Sequence, residues 1–408
     1  MPARFYFRNM NQTAHAIIIG GGIGGPAVSL FLRRAGIKSR IFEAYPEPTT
    51  IGGGFQIAPN GMRVLNSLGL ADRVRAAGVM SSNFVFRNQQ GKVISQIDAS
   101  ASGYGVTIMR AAFHQILLDE ISRQRVPIDY GKRLCGIEYQ GNQVVARFED
   151  GSVERGDMLL AVDGVHSRTR ALILPDYASP RYTGFLGIGG LVKSGTATPD
   201  DAQDARSLSF SVGSRFQVGY AKVCGTPSRW GWWTHLPQEQ ELTRAELQAI
   251  PDDVLLDRIL TAFKGWHSPI ESFVSNTAKV MRTAIYDVPS LPTWHAGRVM
   301  LLGDAAHAMS PAGGQGASLA LEDAMLVGKF LAERSRPEEA FAEVESVLRA
   351  RAERMVKQAT ENDQRQVKEL GRFGQWMRDR MLRLFTPVIA RELRRQYTAL
   401  EHVCAPAA

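Results

Sequence analysis

The sequence predicts an α/β fold in which a parallel-sheet domain is interleaved with a second, β-rich unit and followed by C-terminal helices. Three observations carry that expectation. Two glycine-rich segments lie nearly three hundred residues apart, and each is an apolar strand that turns through glycines into a helix. A third strand–turn–helix segment lies between them at residues 159–170. The stretches at 81–100 and 181–280 lack such units and read as short strands separated by turn residues.

The first segment is Ile17-Ile18-Ile19-Gly20-Gly21-Gly22-Ile23-Gly24-Gly25-Pro26. Its β-branched run suits a buried parallel strand. Gly20, Gly22 and Gly25 fit G-x-G-x-x-G, with Gly24 in the same turn. In that motif the first glycine allows a tight turn and the second lets a pyrophosphate approach the backbone. The third permits close helix–strand packing. Residues 26–34 read as a helix that Gly36 stops, and its N-terminus offers N–H groups to a phosphate. A second strand, 39–43, ends in Glu43, 18 residues after Gly25. A carboxylate there accepts hydrogen bonds from ribose hydroxyls and repels a 2′-phosphate, which favours FAD or NAD over NADP. The unit is Rossmann-like. A glycine turn with no ligand is the plain alternative, and the ordered strand, glycines, helix and acid weigh against it.

The last segment runs through the strand 299–302 to Gly303-Asp304-Ala305-Ala306-His307, then Pro311 and Gly313-Gly314-Gln315-Gly316. Asp304 sits at a strand's carboxyl end, where doubly wound sheets bind ligands. It is placed to hold a sugar or ribityl hydroxyl. Gly314 and Gly316 precede a helical run, 317–333, whose first amides can stabilise negative charge on a reduced flavin. Two glycine segments gripping one long cofactor point to FAD. The middle segment carries Asp163-Gly164, Ser167 and Arg170 after its strand.

These three motifs, in order, resemble those of the class A, single-component FAD-dependent aromatic hydroxylases and monooxygenases, with a para-hydroxybenzoate hydroxylase-like fold. The resemblance covers residues 13–335. It implies non-covalent FAD, with Glu43 on the adenosine ribose, Asp304 on the ribityl chain and Arg110 near the phosphate and ribityl region. It implies that Asp163 serves both the FAD pyrophosphate and a transient NAD(P)H, and that Pro311 and Gly314 lie at the flavin edge. His307 is expected to be structural. The implied reaction is hydroxylation of an aromatic, heteroaromatic or polycyclic small molecule with NAD(P)H and O2, through a flavin C4a-hydroperoxide. A TetX-like, drug-inactivating branch is compatible. A flavin-dependent reductase or dehydrogenase is one alternative. A non-catalytic FAD-dependent binder of an unstable intermediate is another. Two departures stand out. Ala317-Ser318-Leu319 replaces a polar Asn or Cys common after the last G-x-G, and Leu186-Gly187-Ile188-Gly189-Gly190 replaces a Trp-Arg-Gly segment.

The expected division is an FAD-binding domain of residues 13–80, 104–180 and 280–335, a substrate domain of 81–103 and 181–279 with an antiparallel sheet, and a helical region from 336 to 408. Roof strands are expected at 83–87, 92–97, 208–212, 216–223 and 230–236. Their candidate pocket residues are Phe216, Tyr220, Trp232 and His235. Alternation puts Trp230 with Trp232 on one face and Trp233 with His235 on the other, and either set can line the pocket. Trp230-Gly231-Trp232 partly resembles the W-x-W-x-I-P motif of flavin-dependent halogenases. Thr234 and His235 stand where that motif needs Ile and Pro, which argues against halogenation.

Composition bounds the rest. The chain has 408 residues, 44% hydrophobic and 22% charged, as in an ordinary globular protein. A net charge of +8 attracts anionic nucleotides, while no basic motif with aromatic platforms points to nucleic acid. Cys135, Cys224 and Cys404 are scattered and show no metal spacing, so no metal is expected and a cytoplasmic location is. No apolar run matches a spanning helix and residues 1–14 lack an apolar signal core. Helices are expected at 341–371 and 373–397. The second is arginine-rich and amphipathic. Such a helix either lies on a membrane or packs its apolar side on the protein, and the packed form is expected.

Overall fold

The structure is a computed structural model that describes residues 14–48, 52–196, 204–225, 227–311, 314–367 and 369–404. Gly313 and the leader before Ala14 lie outside the described residues.

A six-stranded sheet forms the first layer. Its order is His295–Ala296, Val299–Leu301, Met158–Ala161, His15–Ile19, Lys38–Phe42 and Ile128–Asp129. All neighbours are parallel except the first pair. Ile17, Ile18, Leu159, Leu160, Met300 and Leu301 are fully buried, as strands covered on both faces require. The three motif strands are thus adjacent, and their carboxyl ends share one edge.

Helix Gly24–Arg34 follows the first strand and begins two residues earlier than its sequence suggests. Gly36, at φ +78°, donates to the Arg33 carbonyl while Ile37 donates to that of Leu32. This is a Schellman stop, and the left-handed position explains the glycine. The helix packs closely on Gly316–Glu333, where a Cβ on Gly328 would stand 2.7 Å from that of Phe31. A three-stranded meander, Leu134–Gln140, Gln143–Phe148 and Val153–Gly156, leads back into the parallel sheet.

A seven-stranded sheet forms the roof: Thr277–Asp287, Arg181–Val192, Arg229–Pro237, Gln217–Cys224, Ser207–Val212, Asn83–Asn88 and Val93–Asp98. It is not purely antiparallel, because Ser207–Val212 runs parallel to Asn83–Asn88. Thr277–Asp287 carries the roof past the expected boundary at 279/280. Its whole length pairs with Arg181–Val192. Helices Arg244–Ala249, Asp252–Ala262 and Ile270–Ser275, which the β-rich reading of 181–280 did not anticipate, cover one face of this sheet. A small sheet of Gly54–Ile57, Gly105–Met109 and Val79–Ser81 joins the two layers, with Thr107 Oγ1 donating to the Lys222 carbonyl at 2.7 Å. Helices Pro337–Val367 and Arg372–Thr398 complete the chain, apart from a short turn of helix at Glu401–Cys404. Among the described residues no helix is long and apolar enough to cross a membrane.

Candidate cofactor cleft and substrate wall

The glycine turn leaves the first strand at the parallel sheet's carboxyl edge. A Cβ on Gly20 would meet the Val162 carbonyl oxygen at 2.4 Å, and one on Gly24 would meet the Val162 side chain at 2.5 Å. A Cβ on Gly25 would fall 1.9 Å from the Gly20 carbonyl oxygen. Gly22 differs, since no protein atom lies within 4 Å of its added Cβ. Gly20 and Gly25 therefore bring backbone against backbone, Gly24 admits the Val162 side chain, and Gly22 faces open space. That is the division of labour a bound pyrophosphate requires.

Glu43 ends the neighbouring strand. Its carboxylate accepts from the Gly21 amide at 2.6 Å and the Tyr45 amide at 2.9 Å. The acid is therefore tied to the turn it was expected to serve. His114 braces the turn from the other side through Gly21 O at 2.7 Å, and burial lowers its pKa. Nothing in the sequence marked His114, because its role depends on one carbonyl remote in the chain.

Asp163 is more committed than expected. Oδ1 accepts from Ser167 Oγ at 2.6 Å, and Oδ2 accepts from the Thr169 amide and hydroxyl at 3.0 Å each. Ser167 Oγ then caps helix Arg168–Ile173 by accepting from the Arg170 amide. Arg170 is fully buried and donates to the carbonyls of Val165, Tyr177, Ala178 and Ala305. The Asp-Gly-Ser-Arg motif is thus an internal clamp. It fastens this turn to the one that carries Asp304.

The Gly303-Asp304 turn is held from beneath. Gly303, at φ +57°, donates to Asp323 Oδ2 at 2.6 Å, and His307 Nε2 shares that oxygen at 2.7 Å. Burial pulls the His307 imidazole down, but the Asp323 and Asp304 carboxylates outweigh it and its pKa is raised. His307 is a structural partner, as the motif implied. Asp304 is an exposed residue just past the carboxyl end of strand Val299–Leu301. Desolvation raises its pKa, against the opposing pull of His307 and Arg110. Asp304 marks the floor of the candidate cleft at the sheet's carboxyl edge. A Cβ on Gly316 would stand 3.8 Å from Asp304 Oδ1, so the start of helix Gly316–Glu333 faces the same cleft.

Pro311 and Gly314 close on each other, with the Gly314 amide donating to the Pro311 carbonyl at 2.9 Å. That amide and that carbonyl bond each other within the turn. The first amides of helix Gly316–Glu333 have no carbonyl partner within their own helix. Gly314 itself has φ +62° and open space around an added Cβ. In the replaced Asn or Cys region, Ser318 Oγ accepts from the Ala58 amide at 3.0 Å. Arg110 opens helix Arg110–Arg123, with its stem against Gly52. Its exposed guanidinium has no protein partner among the described residues.

The roof settles which strand face looks at this cleft. Trp230, Trp232, Tyr220 and Leu236 pack with Phe263 and Phe273 under the helices, and Phe216 meets Phe263 edge-on. Phe216, Tyr220 and Trp232 therefore belong to a separate core and do not line the cleft. The three unforeseen helices claim that face. The opposite face carries Trp233, whose indole lies over Gly219, 2.3 Å from where a Cβ would be. Trp233 meets Phe210 edge-on at 5.9 Å, and Phe210 stacks on Phe86 at 5.3 Å. Met281, on the same face, reaches Gly53 beside Arg110. His235 shares this face by alternation, and its Nδ1 bonds Asp363 Oδ1 at 3.0 Å. Strand alternation names this set, but without the helices nothing selects it over its mirror set.

The comparisons with known proteins now bear on this cleft. The family described as an FAD binding domain matches residues 13–360. The chain belongs to this FAD-binding family. The 6-hydroxynicotinate 3-monooxygenase of Pseudomonas fluorescens is 31% identical, over 79% of this chain and 84% of that protein. The aurachin C monooxygenase/isomerase of Stigmatella aurantiaca is 32% identical, over 91% and 94%. Klebsiella pneumoniae HpxO, solved with FAD and uric acid, matches at a TM-score of 0.78 and 26% identity, covering 96% of this chain and 95% of that one. The tetracycline destructase Tet(51) shares the fold at a TM-score of 0.67 and 20% identity, covering 93% and 98%. The flavoprotein is thus an FAD-dependent monooxygenase of the class A fold, with the NAD(P)H dependence typical of that family.

Proposed function

We propose that this flavoprotein hydroxylates a flat aromatic or heteroaromatic ring laid against the wall of Phe86, Phe210 and Trp233. That wall carries the proposal. Aromatic faces and edges favour offset or edge-on contact with another ring, each worth about 0.5–1.5 kcal/mol beyond area burial. The ring substrates named in 6-hydroxynicotinate 3-monooxygenase and 3-amino-4-hydroxybenzoate 2-monooxygenase support the same class.

The residues present fit FAD. Gly22 and Gly314 open onto space, Arg110 has an uncommitted guanidinium, and Asp304 presents a carboxyl at the cleft base. In this reading Gly20, Gly22, Gly24 and Gly25 admit the pyrophosphate, Glu43 takes the adenosine ribose, and Arg110 neutralises phosphate charge. Asp304 takes the ribityl chain. Gly303 shapes that turn, and Gly316 contributes the start of the amide cluster. Asp163 acts by holding its turn. Bound FAD supplies electron transfer from NAD(P)H and oxygen transfer from O2. The protein orients the ring, excludes water and stabilises charge. His235, held by Asp363 through Nδ1, offers Nε2 to a ring hydroxyl. In the balanced reaction one oxygen atom of O2 enters a ring C–H bond as a hydroxyl, the other leaves as water, NAD(P)H gives up a hydride and is released as NAD(P)+, and one proton is taken from solvent.

The roof strands, now including 280–287, form the substrate unit, and the parallel sheet forms the cofactor unit. A cytoplasmic location belongs to the same reading, supported by the exposed thiol of Cys135. The test is a panel of hydroxypyridines, quinolones and aminohydroxybenzoates with NAD(P)H in air. The reading expects one panel member to accelerate NAD(P)H oxidation and gain one oxygen atom by mass spectrometry. A member that is instead reduced, with no oxygen gained, favours the reductase alternative and sinks this one.

A further inference from the structure

The last long helix, Arg372–Thr398, has two unlike faces. Its inner face is anchored to the protein. Thr386 Oγ1 lies 2.6 Å from Ser95 Oγ, Arg383 donates to the Ile94 carbonyl, and Arg378 donates to that of Gly213. Tyr397 is buried with Ala58 and Ala99, flanked by Leu393 and Phe84. The outer face is apolar and uncovered. Phe373 is 71% exposed, Leu384 69%, Val388 59% and Trp376 56%, with Met377 and Met381 beside them. Their spacing of three and four residues makes one continuous stripe along the helix. The packed form expected of this helix is therefore half right, because its inner face packs and its largest apolar side chains do not.

A stripe of this kind needs an occupant, and charge selects it. The helix carries seven arginines against two acids, Asp379 and Glu392. Asp379 is already engaged by Arg378 at 2.7 Å. Helical periodicity puts Arg380 and Arg391 within the stripe itself, both exposed, with Arg383 and Arg394 along its margin. A second copy of this chain would bring the same arginines against themselves across the contact. Large apolar side chains interleaved with arginine suit an anionic bilayer surface. There the stripe enters the acyl boundary and the guanidinium groups stay with the headgroups.

We propose that the outer face of Arg372–Thr398 docks the flavoprotein on an anionic membrane surface. The docking is peripheral. Phe84 shares a strand face with Phe86 and lies under the inner side of this helix, so docking sets one end of the aromatic wall one helix away from the lipid. The proposal stands independently of the substrate class.

The experiment is co-sedimentation of FAD-loaded enzyme with sucrose-filled vesicles. One set is phosphatidylcholine, and the other is phosphatidylcholine and phosphatidylglycerol in equal parts. Sedimentation with the anionic set, little with the neutral set, and release by salt are expected. Phe373→Ser/Leu384→Ser/Val388→Ser should weaken anionic binding by about tenfold or more, as should Arg380→Glu/Arg391→Glu. Both variants should keep their flavin spectrum and NAD(P)H oxidation rate. The charge variant changes only exposed side chains, so it decides the matter if the apolar variant does not fold. Three results overturn the proposal. The enzyme ignores both vesicle types, the charge variant binds as wild type, or the wild type is a concentration-dependent dimer that the apolar variant abolishes.

Discussion

Gly22 and Gly25 sit three residues apart in one motif, and the structure gives them opposite jobs. A Cβ on Gly25 would lie 1.9 Å from the Gly20 carbonyl oxygen, where ordinary contact begins at 3.4 Å. The difference, 3.4 − 1.9, requires a shift of about 1.5 Å. The helix cannot give way, because Ala27, Val28, Leu30 and Leu32 are buried to within 1% and Phe31 already abuts Gly328. Forcing a methyl into such packing costs about 1–3 kcal/mol. Gly25→Ala should therefore destabilise the apoprotein by that amount. Gly22 has open space and no left-handed φ, so Gly22→Ala should leave the apoprotein unchanged or more stable by about 0.4–1 kcal/mol. Its methyl enters the space the pyrophosphate approaches. FAD affinity should fall at least about tenfold, or 1.4 kcal/mol. Thermal unfolding of FAD-stripped protein measures the first quantity, and fluorescence titration with FAD measures the second. Wild-type affinity in Gly22→Ala would falsify the pyrophosphate placement. Wild-type apoprotein stability in Gly25→Ala would refute the packing argument.

Other expectations follow from the same geometry. Glu43→Ala removes the acceptor of the Gly21 and Tyr45 amides together with the proposed ribose contact, and FAD binding should weaken by about 1.5–3 kcal/mol; unchanged FAD occupancy after gel filtration counts against it. Trp232→Ala should cost about 3–5 kcal/mol of stability as a core truncation, whereas Trp233→Ala should raise the substrate KM with little change in melting temperature, and reversed behaviour would mean the roof faces are misassigned. The raised pKa of His307 means its pairing with Asp323 stabilises the protein fully below the unfolded value near 6.5, and that stability is lost as pH rises through the folded value. Asp323→Asn should flatten this decline in melting curves taken upward from about pH 6.5, and an unaltered slope excludes the pair as its source. Asp163→Asn loses one acceptor side of the carboxylate, so the cap of Arg168–Ile173 should weaken by about 1 kcal/mol; slowed flavin reduction with no loss of stability would restore the direct nucleotide role.

The sequence by itself determined the parallel sheet edge and the cofactor. G-x-G-x-x-G, Glu43, Gly303-Asp304 and the glycines before the last core helix each act within a few residues of their own strand. A local turn either has the required glycine and acid or lacks them, so no distant contact is needed to read it. Three matters depended on tertiary structure. The roof face facing the cleft was one, because Trp230/Trp232 and Trp233/His235 are both aromatic rows on one strand. Only the helices of residues 244–275, packed on Trp232 and Tyr220, select between them. The second was where the Asp163 oxygens go, to Ser167 and Thr169, a matter of side-chain direction that the motif leaves open. The third was the C-terminal helix, whose periodicity shows an apolar stripe but not what meets it. Its other face holds the anchoring contacts to Ser95, Gly213 and Ala58, and that distant packing left the stripe facing solvent.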